Sequence, residues 1–133
     1  MKLPYEPRFE DQRLLTGAGH FVDDELVAGQ AYGVFVRSPH AFADIRAIDT
    51  IAARVQPGVI AVLTARDMER EGVGNLTIPV PVPGGAGLVV PHRPALAGDC
   101  VRHVGEVVAL VVADTEAAAR DAADQVVVEY EGT

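Results

Sequence analysis

The sequence predicts an α+β fold in which a mixed sheet carries short helices, arranged as two strand–helix–strand halves joined by a long loop. Three observations lead to this prediction. An apolar run at residues 107–113 has the length of a buried strand, and the alanine-rich segment 116–124 that follows favours helix. A similar succession of strands and short helices occurs earlier, at residues 43–71. A segment rich in proline and glycine, residues 72–98, separates the two halves.

The chain begins with a polar, charged arm at residues 1–15, which ends at the glycine-containing turn 16–19. Phe21 and Val22 are expected to form a short strand that stops at the acidic residues 23–25. The next strand is predicted over residues 30–37, with Tyr32 and Val34 on one face and Phe35 on the other. The first part of the chain is therefore expected to contain an arm, a turn and two strands.

In the first half proper, the period-two pattern of residues 43–48 predicts a half-buried strand with Ala43, Ile45 and Ala47 on one face. A short helix over 50–55, an apolar strand over 59–63 and a second helix over 65–71 are expected to follow. The residues expected to cap the helices of both halves are Asp49, Thr64 and either Asp114 or Thr115.

The second half consists of the strand 107–113, the helix 116–124 and a returning strand over 125–130. The first of these strands has no polar alternation, so both of its faces are expected to be covered. If the two strands pair directly, their pairing should be parallel with a right-handed connection. Within the loop 72–98, we expect an extended excursion at 75–88 and a short edge strand at residues 89–90.

Composition excludes several functions. The net charge of −8, from 19 acidic and 11 basic residues, argues against a nucleic-acid or anionic-membrane partner. No apolar run is long enough to cross a bilayer. The single cysteine, Cys100, rules out an internal disulfide, so a cytoplasmic setting is expected.

Candidate chemical residues are few and scattered. The four histidines, at positions 20, 40, 92 and 103, lack the spacing of metal ligands, and the acidic cluster 23–25 lacks the pattern of a calcium loop. The glycine-containing segments 17–19 and 84–87 match no phosphate-binding motif. Cys100 is interpreted as a buried or half-buried thiol and not as a nucleophile. We therefore assign no catalytic, cofactor-binding or metal residue.

A set of loop residues is instead predicted to lie at a domain or subunit interface. His40 follows a strand end, where it is either a functional histidine or, as we favour, a loop histidine that packs at a contact. Glu106 precedes the apolar strand, and its interpretation as a general base has no partner residue nearby in the sequence, which favours a turn or interface role. The predicted interface residues are Arg37, Pro39, His40, Gly105 and Glu106.

Five motifs carry a resemblance to a known family, and they occur in order over nearly the whole chain. They are Arg8-Phe-Glu-Asp-Gln-Arg-Leu-Leu-Thr-Gly17, Phe21-Val-Asp-Asp24, Phe35-Val-Arg-Ser-Pro-His-Ala41, Pro57-Gly-Val-Ile-Ala-Val-Leu-Thr64 and Val104-Gly-Glu-Val-Val-Ala109. Together they resemble the N-terminal α/β hammerhead domain of the molybdopterin-binding large subunit in the xanthine dehydrogenase, aldehyde oxidase and carbon monoxide dehydrogenase family. The resemblance implies a hammerhead domain at residues 16–133, preceded by the arm 1–15.

The resemblance also implies a function for the protein that contains this domain. Such enzymes are molybdenum hydroxylases, oxidoreductases that hydroxylate aldehydes or N-heterocycles or oxidise carbon monoxide, with iron–sulfur clusters and FAD in partner subunits or domains. The family's molybdopterin-binding segments and catalytic glutamate lie C-terminal to this domain. This chain alone is therefore expected to be inactive, to bind no cofactor and to serve structure and assembly.

The implied partners are the remaining cofactor-binding domains of the large subunit and the iron–sulfur and flavin subunits, and homo-oligomerisation is left open. The alternative is a stand-alone binding or interaction module that has kept the hammerhead fold without enzyme activity. An exposed apolar patch would favour the first interpretation, because a domain separated from its neighbours shows the surface that they normally cover.

Overall fold

A computed structural model describes residues 8–76 and 91–132. The chain divides into two compact units, Met1–Gln30 and Ala31–Thr133. In the first unit, helix α1 (Asp11–Leu15) lies within the predicted arm, and a 3₁₀-helix (Val22–Asp24) replaces the strand expected at Phe21 and Val22. The strand prediction was wrong because the Asp24 carboxylate accepts a hydrogen bond from the Phe21 N–H at 2.8 Å, which closes a turn.

The described residues of the second unit form two three-stranded sheets and three short helices. The first sheet has the order β1 (Tyr32–Arg37), β5 (Val107–Ala113), β3 (Val59–Thr64). The second has the order β4 (Cys100–Val101), β2 (Ala43–Asp49), β6 (Val127–Glu131). The helices are α2 (Ile51–Arg54), α3 (Ala65–Arg70) and α4 (Glu116–Ala123).

The predicted α+β class is confirmed, but the strands form two antiparallel sheets instead of one mixed sheet. Strands β5 and β6 lie in different sheets, so the parallel pairing considered for them does not occur. The reason is that β1 and β3 occupy both edges of β5, which leaves no edge for β6. In β6, half-buried residues alternate with exposed ones, a pattern that suits an antiparallel sheet with one solvated face.

A register shift in β2 changes which of its residues face the core. The alternation predicted Ile45 and Ala47 on one face, but the pairing with β6 shifts between these two residues. Beyond the shift Ala47 is exposed, and Ile48 joins Ile45 against the core. The extra residue of a β-bulge explains this difference, since it reverses the side on which later side chains project.

The predicted helices are found: α3 and α4 begin at the expected residues, and α2 begins one residue later than expected, with Thr50 as its N-cap. The Thr115 hydroxyl accepts the Ala118 N–H at 3.1 Å at the start of α4. The Asp49 carboxylate accepts the Ile51 N–H at 2.9 Å, immediately before α2. Thr64 precedes α3, where its backbone N–H donates to the Asp67 carboxylate. These bonds satisfy backbone donors that have no partner inside the helix.

Two groups of buried side chains make up the core. One lies between the two sheets, and the other lies between the first sheet and helices α2 and α4. Val36 of β1 packs against both groups and so links them. The buried members of the first group are Ala43, Ala97, Val101 and Val108, and those of the second are Ala53, Val62, Val111 and Ala122.

The described parts of the predicted loop, residues 72–76 and 91–98, contain no helix or strand, as expected. The Leu76 N–H donates to the Arg93 carbonyl at 2.8 Å, so the two parts meet. Leu96 and Ala97 are buried and attach the loop to the core. The edge strand expected at residues 89–90 lies outside the described residues. In the described part of the chain, none of the helices is both long and apolar enough to cross a membrane.

Candidate functional site

The end of β1 and the turn before β5 are joined by three hydrogen bonds. The Arg37 guanidinium donates to the Gly105 carbonyl at 2.9 Å, and the Gly105 N–H donates to the Ser38 carbonyl at 2.8 Å. The Ser38 N–H in turn donates to the Glu106 carbonyl at 2.9 Å. Three of the five predicted interface residues, Arg37, Gly105 and Glu106, are therefore brought together although 68 positions separate the first two in sequence.

Gly105 adopts a backbone conformation that favours glycine at this turn. Its φ is +86°, in the left-handed region where a side chain is strained. The Glu106 N–H donates to the His103 carbonyl at 3.2 Å, which closes the turn around Gly105. The conformation explains why a glycine precedes Glu106 in the chain.

The Glu106 carboxylate is largely buried within the same turn, with 15% of its side chain exposed. It accepts a hydrogen bond from the Arg102 N–H, and its oxygens lie 4.0 Å from the Arg102 guanidinium and 3.6 Å from His103 Nδ1. Through these contacts the Glu106 carboxylate stabilises the turn that contains Gly105.

His40 and Pro39 occupy the loop after β1, and both are exposed. The His40 ring lies 4.6 Å from the ring of Tyr130 in β6, in a tilted arrangement. The His40 N–H donates to the Ser38 hydroxyl at 3.1 Å. Tyr130 thus positions His40 from the second sheet.

Ser38, like Tyr130, is a residue of this site that the sequence analysis missed. Its exposed fraction is only 2%, and it is the one polar residue in the core among those the structure describes. Its carbonyl, N–H and hydroxyl make the bonds to Gly105, Glu106 and His40. The available signal was its place immediately before a proline, where a serine hydroxyl often bonds to a nearby backbone N–H.

A cleft of about 480 Å³ opens beside this turn. Residues of the turn and of the described part of the long loop after residue 90 both line this cleft. Its charged and histidine side chains are Arg37, Arg102, His103, Glu106, His92 and Arg93. Five of these six side chains are arginines or histidines, and Glu106 is the one carboxylate among the six.

The remaining candidate residues do not join this site. His20 lies 3.2 Å from Glu25 inside the first unit, and Cys100 is a free, partly exposed thiol in β4. Within residues 8–76 and 91–132, no group of three or more His, Cys, Asp or Glu side chains is arranged to hold a metal ion.

A second carboxylate, Asp67, holds the start of α3. It accepts hydrogen bonds from the Thr64 N–H at 2.8 Å and the Thr64 hydroxyl at 2.9 Å. The guanidinium groups of Arg70 and Arg54 lie 3.2 Å and 3.7 Å from its oxygens. The backbone bond from Thr64 is the main cause that lowers the pKa of Asp67 below its ordinary value, against the opposing effect of burial. The Thr64 hydroxyl, Arg70 and Arg54 lower it further.

The sequence profile of one protein family matches residues 16–133, which is most of the chain. That family is described as aldehyde oxidase and xanthine dehydrogenase, a/b hammerhead domain. The chain belongs to this family. The resemblance found in the five sequence motifs is thereby confirmed, and residues of the hammerhead domain form both sheets and the turn around Gly105.

Individual relatives support the assignment. The chain is 47% identical over 125 residues to the nicotine 6-hydroxylase large subunit of Paenarthrobacter nicotinovorans, a match that covers 94% of this chain and 15% of the relative. It is 41% identical over 132 residues to the carbon monoxide dehydrogenase large chain of Afipia carboxidovorans, covering 93% of this chain and 14% of that one. The chain thus spans about one seventh of these relatives.

A solved structure shares the fold of the hammerhead domain. The crystal structure of a Cu,Mo-containing carbon monoxide dehydrogenase in its carbon monoxide reduced state superposes with a TM-score of 0.78 at 38% identity. The superposition covers 96% of this chain and 15% of that one. Relatives of the hammerhead domain are therefore oxidoreductases of this family, and they include a molybdenum enzyme.

Proposed function

We propose that this chain is a structural and assembly domain in the large subunit of a molybdenum hydroxylase. The observation that carries the proposal is the coverage of the matches, since more than nine tenths of this chain align with only 14–15% of the curated relatives' length. The described carboxylates at its turns, Glu106 and Asp67, bond to neighbouring backbone and cationic groups. These side chains stabilise the domain itself, as a structural role requires.

We propose the activity of the whole protein from the activities of its relatives. It would be hydroxylation of an aldehyde or an N-heterocycle, or oxidation of carbon monoxide, with molybdenum-molybdopterin supplying the redox chemistry. We propose that this cofactor lies in the remaining part of the large subunit, because this chain aligns with only 14–15% of the relatives' length. Iron–sulfur clusters and FAD belong to partner subunits or domains in this proposal, and the single free cysteine favours a cytoplasmic setting.

The predicted interface residues are proposed to contact the remaining domains. Arg37, Pro39 and His40 are exposed, while Gly105 and Glu106 hold the turn beside them. Because Arg37 and Ser38 are bonded to this turn, the exposed side chains are held in one arrangement before a partner binds, which reduces the entropy lost on association. We retain the arm at residues 1–15 and the domain at 16–133 as the proposed organisation.

A chimeric subunit tests the proposed function. The matched segment of the nicotine 6-hydroxylase large subunit is replaced by this chain, and the yield of soluble protein and its molybdenum content are measured. The expected result is a soluble chimera that contains molybdenum, whereas a control subunit with the matched segment deleted should be insoluble or metal-free. A chimera that behaves like the deletion would contradict the proposal and favour the stand-alone binding module.

The proposed interface is tested in the same chimera. His40→Glu places a negative charge beside the Glu106 turn and should lower the yield of molybdenum-containing subunit if this loop lies at a contact. His20→Glu, at an exposed histidine of the first unit, serves as the matched control and should leave the yield unchanged. An equal yield for both variants would remove His40 from the interface.

A further inference from the structure

The side of the first sheet that faces away from α2 and α4 is apolar throughout its centre. Residues directly opposite one another in antiparallel strands project to the same side of a sheet. One row across the three strands is therefore Phe35, Leu110 and Leu63, and the next is Gly33, Val112 and Ala61. We call these six residues the outer face, and none of them has a polar side chain.

The two sides of this sheet differ in how well they are covered. On the inner side, Val62 and Val111 are completely buried with Ala53 of α2 and Ala122 of α4. On the outer face, Phe35 is 50% exposed, and the side chains of Ala61, Leu63, Leu110 and Val112 all remain partly exposed. Helices α2 and α4 thus cover only the inner side.

Such an arrangement is unusual for a sheet whose second side meets water. Antiparallel strands with one solvated side alternate apolar and polar residues, as β6 does in the second sheet. Strand β5 instead has seven consecutive apolar residues, from Val107 to Ala113. The sequence pattern therefore predicts that both sides of β5 are buried. A contiguous apolar surface that remains exposed marks an interaction site.

We infer that the outer face packs against the remaining part of the same large subunit. This inference rests on the proposed function and specifies the surface through which the domain is held. The occupant follows from the comparisons, because the aligned relatives contain, outside the matched segment, about six times the length of this chain. The outer face also adjoins the proposed interface, since the Arg37 guanidinium lies 5.6 Å from the centre of the Phe35 ring and bonds to Gly105.

Cysteine labelling in the isolated chain and in the chimera tests this inference. Phe35→Cys reports on the outer face, and Val127→Cys, 58% exposed at a strand position of the second sheet, is the control. Both are made in a Cys100→Ala background, and maleimide labelling of each peptide is followed by mass spectrometry. In the isolated chain both positions should react rapidly. In the chimera, labelling at position 35 should slow by at least about tenfold, because reaction then requires local opening, while position 127 is unchanged.

The other outcomes separate this inference from the proposed function. Equal labelling of position 35 in the isolated chain and in a soluble, molybdenum-containing chimera would overturn the outer-face inference and leave the proposed function intact. A chimera that fails to assemble would overturn both. Slow labelling in the isolated chain that becomes fast on dilution would identify a second copy as the occupant and also overturn the inference. If Phe35→Cys lowers the melting temperature, Leu63→Cys reports on the same face.

Discussion

At the scale of single residues, Asp67 connects the end of β3 to the start of α3. Its carboxylate accepts both the N–H and the hydroxyl of Thr64, and it lies beside Arg54 and Arg70. Charge-assisted bonds of this kind are stronger than neutral ones. Sequence analysis identified Thr64 as the cap but not Asp67, although a carboxylate three residues after a capping threonine is the signature of a capping box.

We predict that Asp67→Asn destabilises the chain by about 1–2 kcal/mol, since an amide keeps the shape of the side chain but loses its charge and one acceptor oxygen. Urea unfolding at neutral pH measures the change. Asp121→Asn, at an exposed position of α4, is the control and should lie within about 0.5 kcal/mol of the original chain. Equal stability of the two variants would contradict the capping role.

The lowered pKa of Asp67 also predicts a pH dependence. Because its folded-state pKa lies below the unfolded value of about 3.9, the charged carboxylate stabilises the fold above that pH, and the stabilisation is lost as the pH falls through the folded-state pKa. The stability difference between the original chain and Asp67→Asn should therefore shrink on acidification below about pH 4. Melting temperatures of both proteins across this range provide the measurement, and a constant difference would contradict the assignment.

At the scale of elements, the turn between α2 and β3 depends on Gly58. This residue has a φ of +81°, and its carbonyl accepts the Asp114 N–H at 2.9 Å at the end of β5. A Cβ placed at Gly58 would collide with the Asp114 carboxylate, whereas one placed at Gly105, with a φ of +86°, would meet no atom within 4 Å. The two glycines thus share a backbone conformation and differ in the space around them.

We predict that Gly58→Ala costs more stability than Gly105→Ala in the isolated chain. The strain of a positive φ should cost each variant about 1 kcal/mol, and the collision with Asp114 should add about 1–3 kcal/mol at Gly58 alone. Chemical denaturation of both variants measures the difference. Identical losses would show that Asp114 moves aside without cost.

Strand β5 is central to the first sheet, and its inner side chains are inaccessible. Val111→Asp would bury an unpaired carboxylate at a fully covered position, at a cost of several kcal/mol, which is comparable with the whole stability of a small domain. We predict that this variant does not fold, as circular dichroism would show. Val127→Asp, at an exposed strand position, should remain folded. An unchanged melting temperature for Val111→Asp would refute the buried strand.

At the scale of the whole molecule, the outer face predicts a measurable property of the isolated chain. A folded domain with an uncovered apolar surface should bind a dye that fluoresces in apolar surroundings. We predict that Phe35→Asp lowers this fluorescence, that Val127→Asp leaves it unchanged, and that the chimera binds less dye per domain. Cooperative melting of each sample shows that the dye reports a folded surface. Equal fluorescence for both variants would contradict an accessible outer face.

Much of the fold and part of the site were predictable from local patterns. Apolar runs located β3 and β5, alternation located β1 and β2, and capping residues located α2, α3 and α4, because burial and helix ends leave local signatures in the chain. Ser38 and Tyr130 could not be assigned to the site in this way. Their roles arise from contacts with Gly105 and His40, which distant parts of the chain supply.

The sequence alone determined the α+β class, most strands and helices, and the family to which the chain belongs, since these depend on local periodicity, capping chemistry and ordered motifs. Tertiary structure decided how the strands are divided. Both edges of β5 are occupied by β1 and β3, so β6 pairs with β2 in a second sheet. It also decided that α2 and α4 cover only one side of β5, because the cover on each side of a strand is set by elements remote in sequence.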